Sequence, residues 1–382
     1  MVPIVLVTAA LAFLAYVLAI YPALLWWMSR RFERPVHRGS ELRSVSVIIA
    51  VHNGDRFLAN KLDSVLALDY PPDLLEVIVV SDGSTDATEV IARSYPRVTL
   101  VVLPRGGKCV AINEGIRQAR HEILLLTDVR QCVAPASLRY LVACFADASV
   151  GAVSGDLLIR DGESQEEADV GLYWRYESMI RRALSRLDSM FGATGPFYAL
   201  RRELAVPIPS VVLLDDMYLP LAAFFRGWRL VVEENAKAYD YPTSLQTEFH
   251  RKVRTLAGNW QLLRHYPALL GTGNRMWFHF LSYKIGRLLL PYMLLVIAIS
   301  SFWLPSPMRE ISLGGQAIFY LLAAVDPWIP HNLLLKPLTS IIRTFVSMMV
   351  ATLGSVRIFF TPPQELWKVT SRVGPGKPGL PR

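Results

Sequence analysis

The chain has 382 residues, 52% of them hydrophobic and 19% charged, enough for one large or two modest domains with real cores. Its mean hydropathy of +0.32 is too high for an ordinary soluble protein and calls for membrane segments. The net charge of +8, with a pI near 9.4, does not indicate nucleic acid, because the basic excess is dispersed and much of it flanks apolar segments.

Residues 4–28 form an uncharged run long enough to span a bilayer. Trp26 and Trp27 at its end, followed by Arg30, Arg31 and Arg34, suit an interfacial belt and a cytoplasmic flank. The positive start and short apolar core of a cleaved signal peptide are missing. The expectation is an uncleaved anchor over residues 1–30, its N-terminus outside and the following domain in the cytoplasm. Three cysteines (Cys109, Cys132 and Cys144) fall in that domain without metal-binding spacing, and they read as free thiols.

From 45 to 155, strand-like and helix-like segments alternate. Strands are expected at Val45–Val51, Leu75–Val80, Val98–Leu103 and Ile123–Thr127, and helices near Arg56–Leu68, Asp86–Tyr95 and Lys108–Arg120. This rhythm predicts βαβ units and a mostly parallel sheet, an α/β fold. Two strands end in a carboxylate, Asp82 and Asp128, at the edge where open α/β sheets bind ligands. Such a pair suggests a site held by hydrogen bonds and metal, as for a nucleotide diphosphate. Gly106-Gly107-Lys108 opens a helix, and a helix N-terminus beside an ammonium suits phosphate.

Farther on, an amphipathic helix is expected over about 165–190, then a glycine-bearing loop into a strand (191–204), then an acidic loop into a helix (213–228). Residues 275–287 mix aromatics and cations as an interfacial helix does. Leu288–Leu304 is the clearest second span, with weaker ones at Ile318–Val325 and Ile341–Phe360 inside a C-terminal membrane region of 288–360. Three spans place the basic tail (361–382) inside and four place it outside; the sequence leaves the count open.

The motifs SVSVIIAVHNG (44–54), VIVVSDGSTDAT (77–88), GGKCVAINEGI (106–116), ILLLTD (123–128), FGATGPFYALRREL (191–204) and LLDDMYLPLAAFFRGWRLVVEENAKAYD (213–240) occur in order and at compatible spacing. Together they resemble the family 2 inverting glycosyltransferases, in the membrane-bound branch of cellulose-synthase-like and poly-β-1,6-N-acetylglucosamine-synthase-like enzymes. The resemblance covers roughly 40–265 and implies a GT-A-like (Rossmann-like) cytoplasmic domain, with α-helical transmembrane segments around it, at the cell (inner) membrane.

It also implies roles. Ala50, His52, Asn53, Asp82, Gly83, Lys108, Asp128 and Arg254 would bind the nucleotide sugar, with Gly54 letting the backbone approach it closely. Asp128 would hold Mg²⁺ or Mn²⁺ against the diphosphate, and Asp216 would be the base that deprotonates the acceptor. Trp174, Gly195 and Asp215 would face the acceptor, a glycan or a lipid-linked one, and membrane lipids would surround the spans. The donor would be a UDP-sugar carrying a hexose or N-acetylhexosamine. Other readings stay open: Asp82 as a turn residue, Lys108 as a solvated cation, and Asp215-Asp216 as charges complementing a helix dipole.

Two departures stand out. Arg130 occupies the third position of the expected Asp-x-Asp, so either Asp128 with phosphates and water suffices for the metal, or Arg130 itself offsets phosphate charge. Arg251-Lys252-Val253-Arg254-Thr255 keeps the arginine of a Gln-x-x-Arg-Trp motif but not its ends, which tilts the reading toward short extension. A noncatalytic nucleotide- or glycan-binding partner of an active synthase is the alternative; Arg130 and Thr255 favour it, and Asp82, Asp128 and Asp216 oppose it.

Overall fold

The computed structural model describes residues 1–159, 165–240, 245–330 and 333–366, with side chains for all of these but 159, 165–174, 245–248 and 364. Eight strands form one sheet in the order β3-β2-β1-β4-β7-β6-β8-β5. They are β1 Val45–Val51, β2 Leu75–Asp82, β3 Val98–Leu103, β4 Ile123–Thr127, β5 Cys132–Val133, β6 Val150–Ile159, β7 Phe197–Arg201 and β8 Arg229–Asp240. β1 pairs in parallel with β2 and β4, β2 with β3, and β6 with β8, while β7 runs antiparallel between β4 and β6. The sheet is thus mostly parallel, as the βα rhythm predicts.

The apolar runs become central strands because both of their faces are covered. Val45, Val47, Ile49 and Val51 of β1 enter one core, whereas Ile48 enters the core on the opposite face. Helices α1 Val2–Ala15 and α2 Tyr21–Arg31 are joined by a π-turn at 16–20; α3 Asp55–Leu66, α4 Thr88–Arg93 and α5 Lys108–Gln118 follow. Next come α6 Ser137–Ala143, α7 Gln165–Leu187, α8 Asp215–Phe225 and α9 Leu245–His265. Last are α10 Trp277–Phe280, α11 Gly286–Ser301, α12 Met308–Val325 and α13 Lys336–Ser355. The predicted helices in the βα region are present with ends moved by one to two residues, as fraying ends allow.

Among the described residues, three helices are long and apolar enough to cross a membrane: Val2–Arg31, Trp277–Ser301 and Lys336–Phe359. α12 is not among them. The stretch 275–287, expected to lie on the membrane surface, runs as α10 and a π-turn at 281–285 into α11. Its charges are handled internally: Arg287 Nη1 donates to Glu177 Oε2 of α7 at 2.6 Å, and the Tyr283 hydroxyl donates to Oε1 of the same carboxylate. Arg275 donates to the Phe224 carbonyl at the end of α8 at 2.7 Å. Most of the basic tail lies outside the described residues.

Candidate active site

The carboxyl ends of β1, β2 and β4 and the start of α8 build the site. β2 delivers Asp82, which is 2% exposed. Its carboxylate accepts from the Gly106 and Gly107 amides at 2.6 and 3.0 Å and from Arg105. Those amides were expected to cradle phosphate; here they hold Asp82, and the loop before α5 is fastened to the end of β2. Gly83 has a φ of +63°, and a Cβ there would meet the Arg105 backbone nitrogen at 2.7 Å, so only glycine lets the two turns touch.

Ala50, within β1, is half-buried, and His52 and Asn53 just beyond the strand are exposed. His52 Nδ1 lies 2.8 Å from the Asp82 carbonyl oxygen, and Asn53 Oδ1 accepts from the Thr85 amide at 2.8 Å. The residue in the left-handed region is Asn53 (φ 49°) rather than Gly54, whose φ is −113°. Gly54 is required for a different reason than backbone approach: a Cβ there would lie 2.5 Å from Val51 Cγ2.

Lys108, at the first position of α5, reaches across the site. Its Nζ lies 3.0 Å from Asp128 Oδ1 and 3.1 Å from Asp215 Oδ1. Burial alone would lower its pKa, but Asp128, Asp215 and Asp216 outweigh that and hold the ammonium above its ordinary range. Burial pushes Asp128 the other way from its cationic neighbours, and Lys108, Lys61 and Arg254 win, keeping it below the usual carboxylate range. Arg254 of α9 joins the cluster electrostatically; burial and then Arg251 lower its pKa, while Asp128, Asp216 and Asp215 oppose the drop.

Asp215 and Asp216 form the first turn of α8, where the helix dipole favours negative charge. Burial, then the Asp215 charge, push Asp216 up to about 6. Gly195 lies against it: a Cβ there would meet Asp216 Oδ2 at 2.8 Å. The Asp216 carbonyl accepts from the Ala193 amide at 2.8 Å, so the loop before β7 is laced to the start of α8.

The structure therefore brings Lys108, Asp128, Asp215, Asp216, Gly195 and Arg254 together, with Asp82, Gly83, His52 and Asn53 along the same sheet edge. The Trp174 side chain lies outside the described residues. Arg130 does not face the cluster as a free cation: its Nη2 donates to Asp240 Oδ2 at the end of β8, which also accepts from Gln131 at 2.9 Å. Trp260 of α9 donates its Nε1 proton to Ser355 Oγ of α13 at 3.2 Å. Burial pushes the Cys109 and Cys144 thiols up to about 12, and all three cysteines are free.

Two participants escaped the sequence reading. Tyr198 of β7 is fully buried, its hydroxyl has no hydrogen-bond partner among the described residues, and burial with the nearby acids raises its pKa well above the ordinary value. Lys61 of α3 is also fully buried beneath Asp128. Only the second left a trace in the sequence: a cation inside the Leu58-Leu62-Val65 stripe of an amphipathic helix.

Among the described residues, no three His, Cys, Asp or Glu converge as a metal site. Asp128 is the carboxylate available, and one carboxylate fits a hard divalent ion that completes its shell with phosphate oxygens and water.

A mostly parallel sheet whose ligand edge gathers carboxylates and cations around a helix-borne acidic pair is the architecture of a GT-A-like fold. Residues 46–206 match the model of Glycosyl transferase family 2. That stretch is less than half of the chain, and it carries the likeness to family 2 glycosyltransferases.

The poly-beta-1,6-N-acetyl-D-glucosamine synthase of Staphylococcus aureus is 24% identical over 241 residues, which cover 60% of this chain. The match spans 58% of that relative's length. The beta-monoglucosyldiacylglycerol synthase of Synechocystis sp. is 23% identical over 360 residues, 85% of this chain and 74% of that protein. A mannosyltransferase from Pyrobaculum calidifontis, solved with GDP-Man and Mn²⁺, shares the fold with a TM-score of 0.72. It is 23% identical, and the match covers 93% of this chain and 99% of that one.

Proposed function

We propose that the protein is a membrane-bound inverting glycosyltransferase that moves a hexose or N-acetylhexosamine from a UDP-sugar to a glycan or lipid-linked acceptor, forming a β-glycosidic bond. The observation that carries this reading is Lys108 lying within 3.1 Å of both Asp128 and Asp215, because it joins the donor side of the site to the acidic pair. In this reading the nucleotide lies along His52, Asn53, Asp82 and Gly83, and its diphosphate reaches Lys108, Asp128 and Arg254.

Asp216 takes the proton of the acceptor hydroxyl as that oxygen attacks the anomeric carbon. The C–O bond to the diphosphate breaks, and the nucleoside diphosphate leaves with the bonding electrons. Lys108 and Arg254 stabilise the charge that develops on the leaving group. Asp128 would hold Mg²⁺ or Mn²⁺, which supplies further positive charge to the diphosphate when bound. Asp215, tethered by Lys108, orients the base, and Gly195 leaves room for the acceptor beside Asp216.

The long match to a glucolipid synthase supports a lipid acceptor, and the match to a polysaccharide synthase supports a glycan. Three apolar helices fit membrane association, and three spans support one shared, cytoplasmic face for the catalytic domain and the basic tail. The protein in lipid nanodiscs, supplied with membrane lipid extract, should release nucleoside diphosphate from one member of a panel of UDP- and GDP-sugars. Release should rise with Mg²⁺ or Mn²⁺. Binding of nucleotide without turnover of any donor, extract present, would sink the assignment.

A further inference from the structure

Lys61 has no place in the chemistry above, yet its position is unusual. Leu58, Leu62 and Val65 of α3 fill the core at helical spacing, and Lys61 stands in the same stripe with 0% exposure. Its Nζ donates to Thr127 Oγ1 at 2.5 Å and to the Gln131 carbonyl at 2.6 Å. Thr127 in turn donates to the Pro196 carbonyl at 2.8 Å, next to the glycine that abuts Asp216. The two acceptors bracket Asp128, Val129 and Arg130 on either side.

Among the described residues, no carboxylate lies within ion-pair distance of this ammonium. The carboxylate whose charge it feels is that of Asp128. A buried cation without a contacting anion is disfavoured, and a leucine would suit the stripe. Burial lowers the Lys61 pKa to about 7, and Cys132 and then Asp128 oppose the drop. A diphosphate arriving beside Asp128 would favour the ammonium further. The remaining candidate for extra positive charge, Arg130, is committed to Asp240.

We propose that Lys61 is a positioning residue and an internal counter-cation: it fixes the Asp128 loop from below and offers the nucleoside diphosphate a positive charge. The donor site thereby depends less on a divalent ion than a single-carboxylate site otherwise would. The proposal rests on the nucleotide-sugar reading of the site.

The test is the affinity of the full chain in nanodiscs for UDP and GDP, by calorimetry, in EDTA and in Mn²⁺. Lys61→Gln keeps two hydrogen-bond donors and removes the charge. It should weaken binding in EDTA by about tenfold and in Mn²⁺ by about threefold or less, because the metal restores positive charge. Thr127→Val removes the anchor and keeps the charge, so its ratio of the two affinities should match the parent's.

Equal weakening of Lys61→Gln in both conditions, no weakening in either, or a Thr127→Val ratio shifted like that of Lys61→Gln would overturn the counter-cation role. If Lys61→Gln does not accumulate folded, Lys61→Met reads the same ratio. A parent that binds neither nucleotide in either condition overturns the nucleotide-sugar reading as well, which distinguishes the two failures.

Discussion

Gly195→Ala offers a way to move the proposed base without unfolding the protein. A Cβ at 195 would lie 2.8 Å from Asp216 Oδ2, whereas ordinary van der Waals contact begins at 3.4 Å, so the carboxylate must retreat by about 0.6 Å. Gly195 is not among the positive-φ glycines, so alanine adopts its backbone without strain. The neighbour is the end of a side chain, which can swing away at little cost. Misplacing a reacting group by about 1 Å costs roughly a hundredfold in rate. Scaled to about 0.6 Å, the loss is about 15-fold in kcat, or about 1.6 kcal/mol of barrier. The assay is nucleoside diphosphate release under saturating donor, alongside a thermal unfolding curve. KM for the donor should hold within about twofold and Tm within a few degrees, since Gly→Ala at a permitted φ slightly favours the fold. An unchanged kcat would refute the placement of Asp216 as the base. A collapse of Tm would refute the packing argument.

Asp216, raised to about 6, should give an acid limb to kcat near that pH, because only the carboxylate accepts the proton. The same shift has a stability sign: the folded state holds that proton more tightly, so the stabilising contribution is full below the unfolded value of 3.8 and is lost as pH rises through about 6. Chemical denaturation of Asp216→Asn at pH 8 should therefore show stability equal to or above the parent. Lys108→Met leaves Asp128 and Asp215 without their shared cation, and nucleotide titration should show a loss of about tenfold to a hundredfold. Asp82→Ala frees the Gly106 and Gly107 amides; hydrogen exchange at 105–108 should quicken, and KM for the donor should rise by about tenfold with a smaller effect on kcat.

How much of this was legible depended on where the free energy lies. β1 to β4 were readable because strands buried on both faces need uninterrupted apolar residues, and their ends placed Asp82 and Asp128 in advance. β6 and β8 were not. Val150–Ile159 contains Gly151, Ser154, Gly155 and Asp156, and Gly155 serves packing: a Cβ there would lie 2.2 Å from Phe197. β8 alternates and carries Glu233, Glu234 and Lys237, with a register shift opposite Gly155 and Asp156, so no apolar run announces it. The anion that accepts from Arg287, Glu177, is 110 residues away in the chain, so no local pattern announces that contact. At the site, Asp216 and Lys108 were legible through motif order. The contacts of Lys108 with Asp128 and Asp215 were not, nor was the engagement of the Gly106 and Gly107 amides by Asp82, because these are tertiary interactions with no local sequence signature.

The central claim is that Asp216 deprotonates an acceptor hydroxyl in an inverting transfer. Its most direct test compares the parent and Asp216→Asn, each in nanodiscs with the preferred donor and lipid extract, by the anomeric configuration of the product and by nucleotide affinity. The account predicts a β-linked product from the parent, turnover lower by at least about a thousandfold in Asp216→Asn, and nucleotide affinity within about threefold of the parent. An α-linked product, or near-parental turnover in Asp216→Asn, would contradict it.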